Sequence, residues 1–216
     1  MDKVILKLKK DIKRILPMVV KHTKSNDYKS DYHKQVYFNV VDGEMVAIGD
    51  IDQSLAVITA PYLKELSKDN FQLWREDAVA LTKTKTIEEA KEIIAKHGFT
   101  GEYRNYKYVI EGLGKYRFTF DVKESLEKLL QTTDETFKLT IAKDVVKING
   151  HITKYKLLEY PETTVEFTIS NKLITTGLKM IDTEKANFVF GNTYVIGLIA
   201  DSFIYATVAK ERYYPD

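Results

Sequence analysis

The 216-residue chain has no cysteine, which excludes a disulfide framework and a cysteine-based metal site and fits a reducing compartment. It has no apolar run near the roughly 20 residues that span a bilayer. Its first residues lack the apolar stretch and small-residue cleavage site of a secretory signal, so neither a membrane location nor export is expected. An excess of one charge is missing too: 33 basic residues against 31 acidic ones leave +2, which by itself implies no partner. A catalytic signature is also absent. His22, His33, His97 and His151 are scattered, without the paired spacing of a metal site on one helix. No phosphate-binding glycine loop, nucleophile elbow or zinc pattern occurs. Asp50 and Asp52 share one face of a predicted strand and could in principle work as an acid/base pair or hold a divalent ion. Two carboxylates beside a turn read more simply as solvent-exposed capping groups. No enzyme activity, catalytic residue, metal or cofactor is therefore expected.

What is present is a folded, β-rich composition: 44% hydrophobic and 12% aromatic, with 14 Tyr and 10 Phe. The pattern occurs twice. QVYFNVVDGEMVAIG (35–49) has its counterpart in ETFKLTIAKDVVKING (135–150), each a strand, a polar turn and a strand. SLAVITAPYLKEL (54–66) is echoed by TTVEFTISNKLITTGL (163–178), an alternating strand and then a short helix. Upstream, KVILKLKKDIKRIL (3–16) and YRFTFDVKESLEKLL (116–130) each run from strand into helix. NFQLWREDAVALTK (70–83) answers the longer ANFVFGNTYVIGLIADSFIYATV (186–208). A duplicated order of strand, helix, strands, helix and strands predicts two similar α+β domains.

Local signals fill in the first copy. Asp42-Gly43 between alternating runs predicts a two-residue hairpin. Pro61 suits the first turn of a following helix, and 71–74 with 79–82 reads as a second hairpin. Residues 7–24 carry Lys7, Lys9, Lys10, Lys13, Arg14, Lys21 and Lys24 against Asp11 alone, with Leu8, Ile12, Ile15, Leu16 and Val19 at helical spacing. That is an amphipathic helix with a basic face, bent or ended at Pro17. Between the copies, Thr86 and Glu89 form a capping-box signature and Gly98 a stop, so a helix is expected over 87–97. A tyrosine-rich stretch, 103–108, follows, and the glycines of EGLGK (111–115) read as a hinge.

This order resembles that of the DNA sliding clamps: the beta subunit of bacterial DNA polymerase III, proliferating-cell nuclear antigen and the short clamps of tailed bacteriophages. The resemblance covers 3–83 and 115–210. It is carried by LKKDIKRILPMVVKHTK with QVYFNVVDGEMVAIGDIDQSLAV, and by EFTISNKLITTGLKMIDTEKANFVFGNTYVIGLIADSFIYATV. It implies two tandem clamp-like domains, 1–84 and 115–216, each with two helices packed on antiparallel sheets, joined by a connector over 85–114. It also implies a ring whose helices line the hole; two-domain chains reach the usual six domains as a homotrimer. Such a ring holds phosphates without reading bases. The residues expected at DNA are Lys9, Lys10, Lys13, Arg14, Lys64 and Lys68 in the first copy and Lys123, Lys128, Lys172 and Lys179 in the second. Implied partners are double-stranded DNA, a DNA polymerase and a clamp loader, in the cytoplasm or a host cell's cytoplasm. Clamps capture partner peptides near the connector and chain terminus, which points to Tyr103, Tyr106, Tyr108, Tyr213 and Tyr214. The helix within the connector departs from the mostly extended connector of that family. Two other readings keep the fold: a monomeric DNA-binding polymerase accessory, and an interaction or decoy protein that binds no DNA.

Overall fold

The chain divides into two units, Met1–Arg104 and Asn105–Asp216. The structure, a computed structural model, describes residues 13, 34–41, 44–51, 54–61, 70–101, 106–143, 145–149, 151–153, 155–201 and 203–214.

In the first unit, the apolar stretch around Phe38 makes β1 (Gln35–Val41), which pairs antiparallel with β2 (Glu44–Ile51). The last register pair is Val41 with Glu44; Asp42 and Gly43, where the sequence predicts the turn, lie outside the described residues. β2 pairs in turn with β3 (Ser54–Pro61), and β4 (Asn70–Trp74) pairs with the other edge of β1. Phe38 and Phe71 are partners in register and stack at 4.6 Å. Pro61 differs from expectation: it is the last residue of β3, paired with Glu44. Proline is tolerated at a strand end, where its missing N–H costs no ladder bond.

The second hairpin expected at 79–82 is corrected to a helix, α1 (Arg75–Leu81). Its Ala78 and Leu81 are buried three residues apart, a helical rather than a two-residue period, and Glu76 and Asp77 sit in its first turn. α2 (Ile87–His97) follows the capping signal: Thr86 Oγ1 accepts from Glu89 N at 3.2 Å, and the Glu89 carboxylate accepts from Lys85 N at 2.5 Å. Ala90 and Ile94 form its buried stripe. His97 Nδ1 lies 3.1 Å from Asp77 Oδ1, linking α2 to α1. Beyond α2, Phe99 exchanges backbone hydrogen bonds with Gln72 of β4, at 2.8 and 3.2 Å.

The second unit begins with α3 (Tyr106–Gly112) and β5 (Tyr116–Asp121), which leads into α4 (Val122–Gln131). The strands β6 (Thr136–Ile141), β7 (Val146–Ile148), β8 (His151–Thr153), β9 (Lys156–Glu159) and β10 (Val165–Ser170) follow. After α5 (Asn171–Met180) come β11 (Lys185–Phe190), β12 (Val195–Ala200), β13 (Phe203–Val208) and β14 (Glu211–Tyr213). Within this unit β13, β12, β11, β5 and β9 pair in that order, all antiparallel. β14, β10, β6, β7 and β8 form the other layer. Alternation explains the layering: in β10, Val165, Phe167 and Ile169 point inward and are buried. Gly114, at φ +69°, packs against Gly191, and a side chain on either would collide with the other's backbone. The glycines expected as a hinge thus serve a close approach inside the second unit.

Candidate nucleic-acid interface

Among the described residues, α4 and α5 are the helices that carry lysines expected at DNA, apart from Lys13, which is helical and exposed. Lys9, Lys10, Arg14, Lys64 and Lys68 lie outside the described residues. α4 begins where β5 ends: Asp121 closes the strand, and its Oδ1 accepts from Glu124 N at 2.8 Å as an N-cap. Val122, Ser125, Leu126 and Leu129 form the inward stripe at helical spacing, leaving Lys123, Glu124, Glu127 and Lys128 exposed.

α5 packs against α4 and is locked to it by Asn171. The buried amide donates through Nδ2 to Leu129 O at 3.1 Å and to Asp134 O at 3.3 Å, while its Oδ1 accepts from Thr175 Oγ1 at 3.1 Å. Ile174, Gly177 and Leu178 are the buried face of α5. Gly177 sits against the ring of Tyr205, whose hydroxyl donates to Leu173 O at 2.8 Å.

The two helices differ electrostatically. α5 contains no carboxylate, and its Lys172 and Lys179 are exposed. Seven residues is close to two turns, so both lie on one stripe about 10 Å apart along the axis. α4 carries two lysines and two glutamates. Lys128 Nζ is paired with Glu124 Oε1 at 2.6 Å, and this hydrogen bond raises the Lys128 pKa above its ordinary value. Lys123, Lys172 and Lys179 have no ion-pair partner among the described residues. Among these lysines, positive charge without a partner among the described residues is therefore concentrated on α5 and at Lys123, while Lys128 is compensated by Glu124.

The tyrosines separate. Tyr103 lies outside the described residues. Tyr106 is only 8% exposed, so it anchors α3 rather than offering a surface, contrary to the expectation. Tyr108 is 75% exposed, Tyr213 61% and Tyr214 47%. The turn between β11 and β12 connects these regions. Thr193 Oγ1 donates to Gly112 O at the end of α3, at 2.8 Å, and Thr193 O accepts from Arg212 Nη1 on β14 at 2.5 Å. The Arg212 guanidinium lies 4.9 Å from the Tyr214 ring and 5.4 Å from that of Phe167. Thr193 and Arg212 were not singled out from the sequence. An arginine between glutamate and two tyrosines in ERYY was the available sign, but the distant partner at 193 had none.

Among the described residues no three His, Asp or Glu side chains gather to hold a metal ion. No described helix is long and apolar enough to cross a membrane.

No protein-family model and no curated protein matches the sequence. Solved structures do. A DNA polymerase sliding clamp from Pseudomonas aeruginosa, solved with ligand, aligns with 96% of this chain at a TM-score of 0.68 and 13% identity. The sliding clamp from Caulobacter crescentus aligns with 96% at 0.69 and 11% identity. That from Bacillus subtilis aligns with 97% at 0.66 and 12% identity. The chain spans 64%, 64% and 63% of those proteins. At such identities the likeness shows the fold, and that fold is the α+β fold of the sliding clamps.

Proposed function

We propose that the chain acts as a DNA sliding clamp, a non-enzymatic processivity factor that encircles duplex DNA and tethers a replicative polymerase. The observation that carries this reading is the clamp fold over 96% of the chain. A closed ring cannot leave DNA sideways, and contacts limited to phosphates let it move along the duplex without a preferred sequence. Lys172 and Lys179, on an α5 stripe free of carboxylates, suit that role, as does Lys123 at the start of α4. The same role is proposed for Lys9, Lys10, Lys13, Arg14, Lys64 and Lys68, and for Lys128 once Glu124 yields it. With two units per chain, a ring of six domains takes three copies.

For the polymerase and a loader, the proposed contact surface is the region around Thr193, with Tyr108, Tyr213 and Tyr214 exposed. Tyrosine supplies apolar area with a polar tip, which suits capture of a short peptide. A second reading is a monomeric DNA-binding accessory of the same fold, which holds DNA on one basic face; it is favoured by the dilution of the α4 lysines by Glu124 and Glu127, since a ring would turn that helix toward the hole. Light scattering on the purified chain separates the two readings, because only the ring requires three copies. A complete lack of salt-dependent DNA binding would sink both in favour of an interaction or decoy role.

A further inference from the structure

Beneath α4 the unit Asn105–Asp216 contains a cavity of about 350 Å³, within the size range of small-molecule sites. Its walls draw on both strand layers and on both helices. Phe118, Phe188 and Leu198 come from one layer, Phe137 from the other and Ile174 from α5, all of them buried. Phe118 stacks on Phe188 at 5.0 Å and on Tyr155 at 5.3 Å, which gives the cavity a stiff aromatic side. Such walls offer water no hydrogen-bond partners, and they favour an apolar body.

The polar lining residues are Ser125, Lys128, Thr132, Asn149 and Tyr155, and each is half-buried or exposed. They therefore mark the solvent end of the cavity, its mouth. Their hydrogen-bonding capacity is unequal. Asn149 Oδ1 already accepts from Lys138 N at 2.8 Å, which leaves its Nδ2 hydrogens. Thr132 Oγ1 accepts from Asp134 N at 3.3 Å, which leaves its hydroxyl hydrogen. Lys128 has three donors, and its contact with Glu124 is an exposed pair of the kind readily exchanged. The Ser125 and Tyr155 hydroxyls, 3.3 Å apart, are bonded to each other, so the donors left for a ligand at the mouth include the Asn149 amide, the Thr132 hydroxyl and the cationic Lys128.

We infer that this cavity binds a small monocarboxylic acid with an aliphatic or aryl body. The body lies among Phe118, Phe137 and Phe188, and the carboxylate accepts from Lys128 and Asn149 at the mouth. This site is separate from Thr193 and the exposed tyrosines, and it does not depend on the ring.

The test is calorimetric titration of the full chain with decanoate, kept below its micelle concentration, and with decanol as the uncharged counterpart. One decanoate per chain should bind. Methyl resonances of Ile174, Leu178 and Leu198 should shift on binding to the unaltered protein. Lys128→Gln, at an exposed position, should weaken decanoate by roughly tenfold, one charge-assisted hydrogen bond, and leave decanol unchanged. Absence of saturable binding overturns the inference, as does saturation with those methyls unmoved. Equal weakening of both probes by Lys128→Gln overturns the carboxylate assignment.

Discussion

Gly177 lies against the ring of Tyr205, so closely that a methyl group on its Cα would come within 2.7 Å of Tyr205 Cγ. The contact fixes how near α5 sits to β13, and the Tyr205 hydroxyl adds a hydrogen bond to Leu173 O at 2.8 Å. Helix propensity alone favours alanine over glycine by about 1 kcal/mol. Overpacking against a buried ring costs about 1–3 kcal/mol. Gly177→Ala is thus expected to destabilise the chain in urea unfolding, and Tyr205→Phe to cost about 1 kcal/mol through the lost bond. A more stable Gly177→Ala protein would show that the ring can move aside.

Asn171 is the lock between α4 and α5, and its amide serves two backbone carbonyls, Leu129 O and Asp134 O. Asn171→Ala should cost about 1 kcal/mol or somewhat more, because two part-buried hydrogen bonds are lost. Asn171→Asp should cost more at neutral pH, since a carboxylate would then face the same two oxygens. Denaturant unfolding of both variants measures the order; equal stability to the parent protein rules the lock out.

Glu166 gives a pH-dependent prediction. Its contact with Lys138 Nζ at 2.5 Å, and a second bond from Thr140 Oγ1 at 3.0 Å, hold its pKa below the ordinary 4.5, although burial pulls the other way. A depressed folded pKa adds stability that is present above 4.5 and is lost as pH falls through the folded value. Glu166→Gln should therefore lower the unfolding midpoint at neutral pH and converge with the parent protein in acid. A gap that stays constant across that range contradicts the pairing.

Much of the fold was legible from short-range signals. Asp42-Gly43, the Thr86–Glu89 cap, and the passages from β5 into α4 and from β10 into α5 all carry their instruction within a few residues. α1 was misread because Val79, Ala80 and Leu81 form a short apolar run, which fits a strand or a helix equally well. Burial of Ala78 with Leu81 decides for the helix. At the candidate interface, residue type identified the lysines but not their neighbours: the pairing of Lys128 with Glu124 follows from helical spacing, whereas the Thr193–Arg212 contact joins residues 19 apart. Tyr106 looked like its neighbour Tyr108, and only packing separates the buried ring from the exposed one.

For DNA, Lys172→Ala with Lys179→Ala should weaken binding equally across sequences. Each lost phosphate contact should reduce the slope of log affinity against log salt by about 1. Alanine at Lys9, Lys10, Lys13 and Arg14 is expected to act in the same direction. The α5 double mutant should still fold, because Lys172 and Lys179 are exposed and such substitutions usually change stability by roughly 0.5 kcal/mol or less. Lys128→Ala should change the slope least, because Glu124 already compensates that charge. An unaltered slope in the α5 double mutant places DNA elsewhere.

The central claim is the ring, and solution mass tests it most directly. Light scattering at micromolar protein should give close to three times the 24.9 kDa of one chain. That mass should hold on moderate dilution. A mass of 24.9 kDa that does not change with concentration would contradict the ring and leave the monomeric accessory.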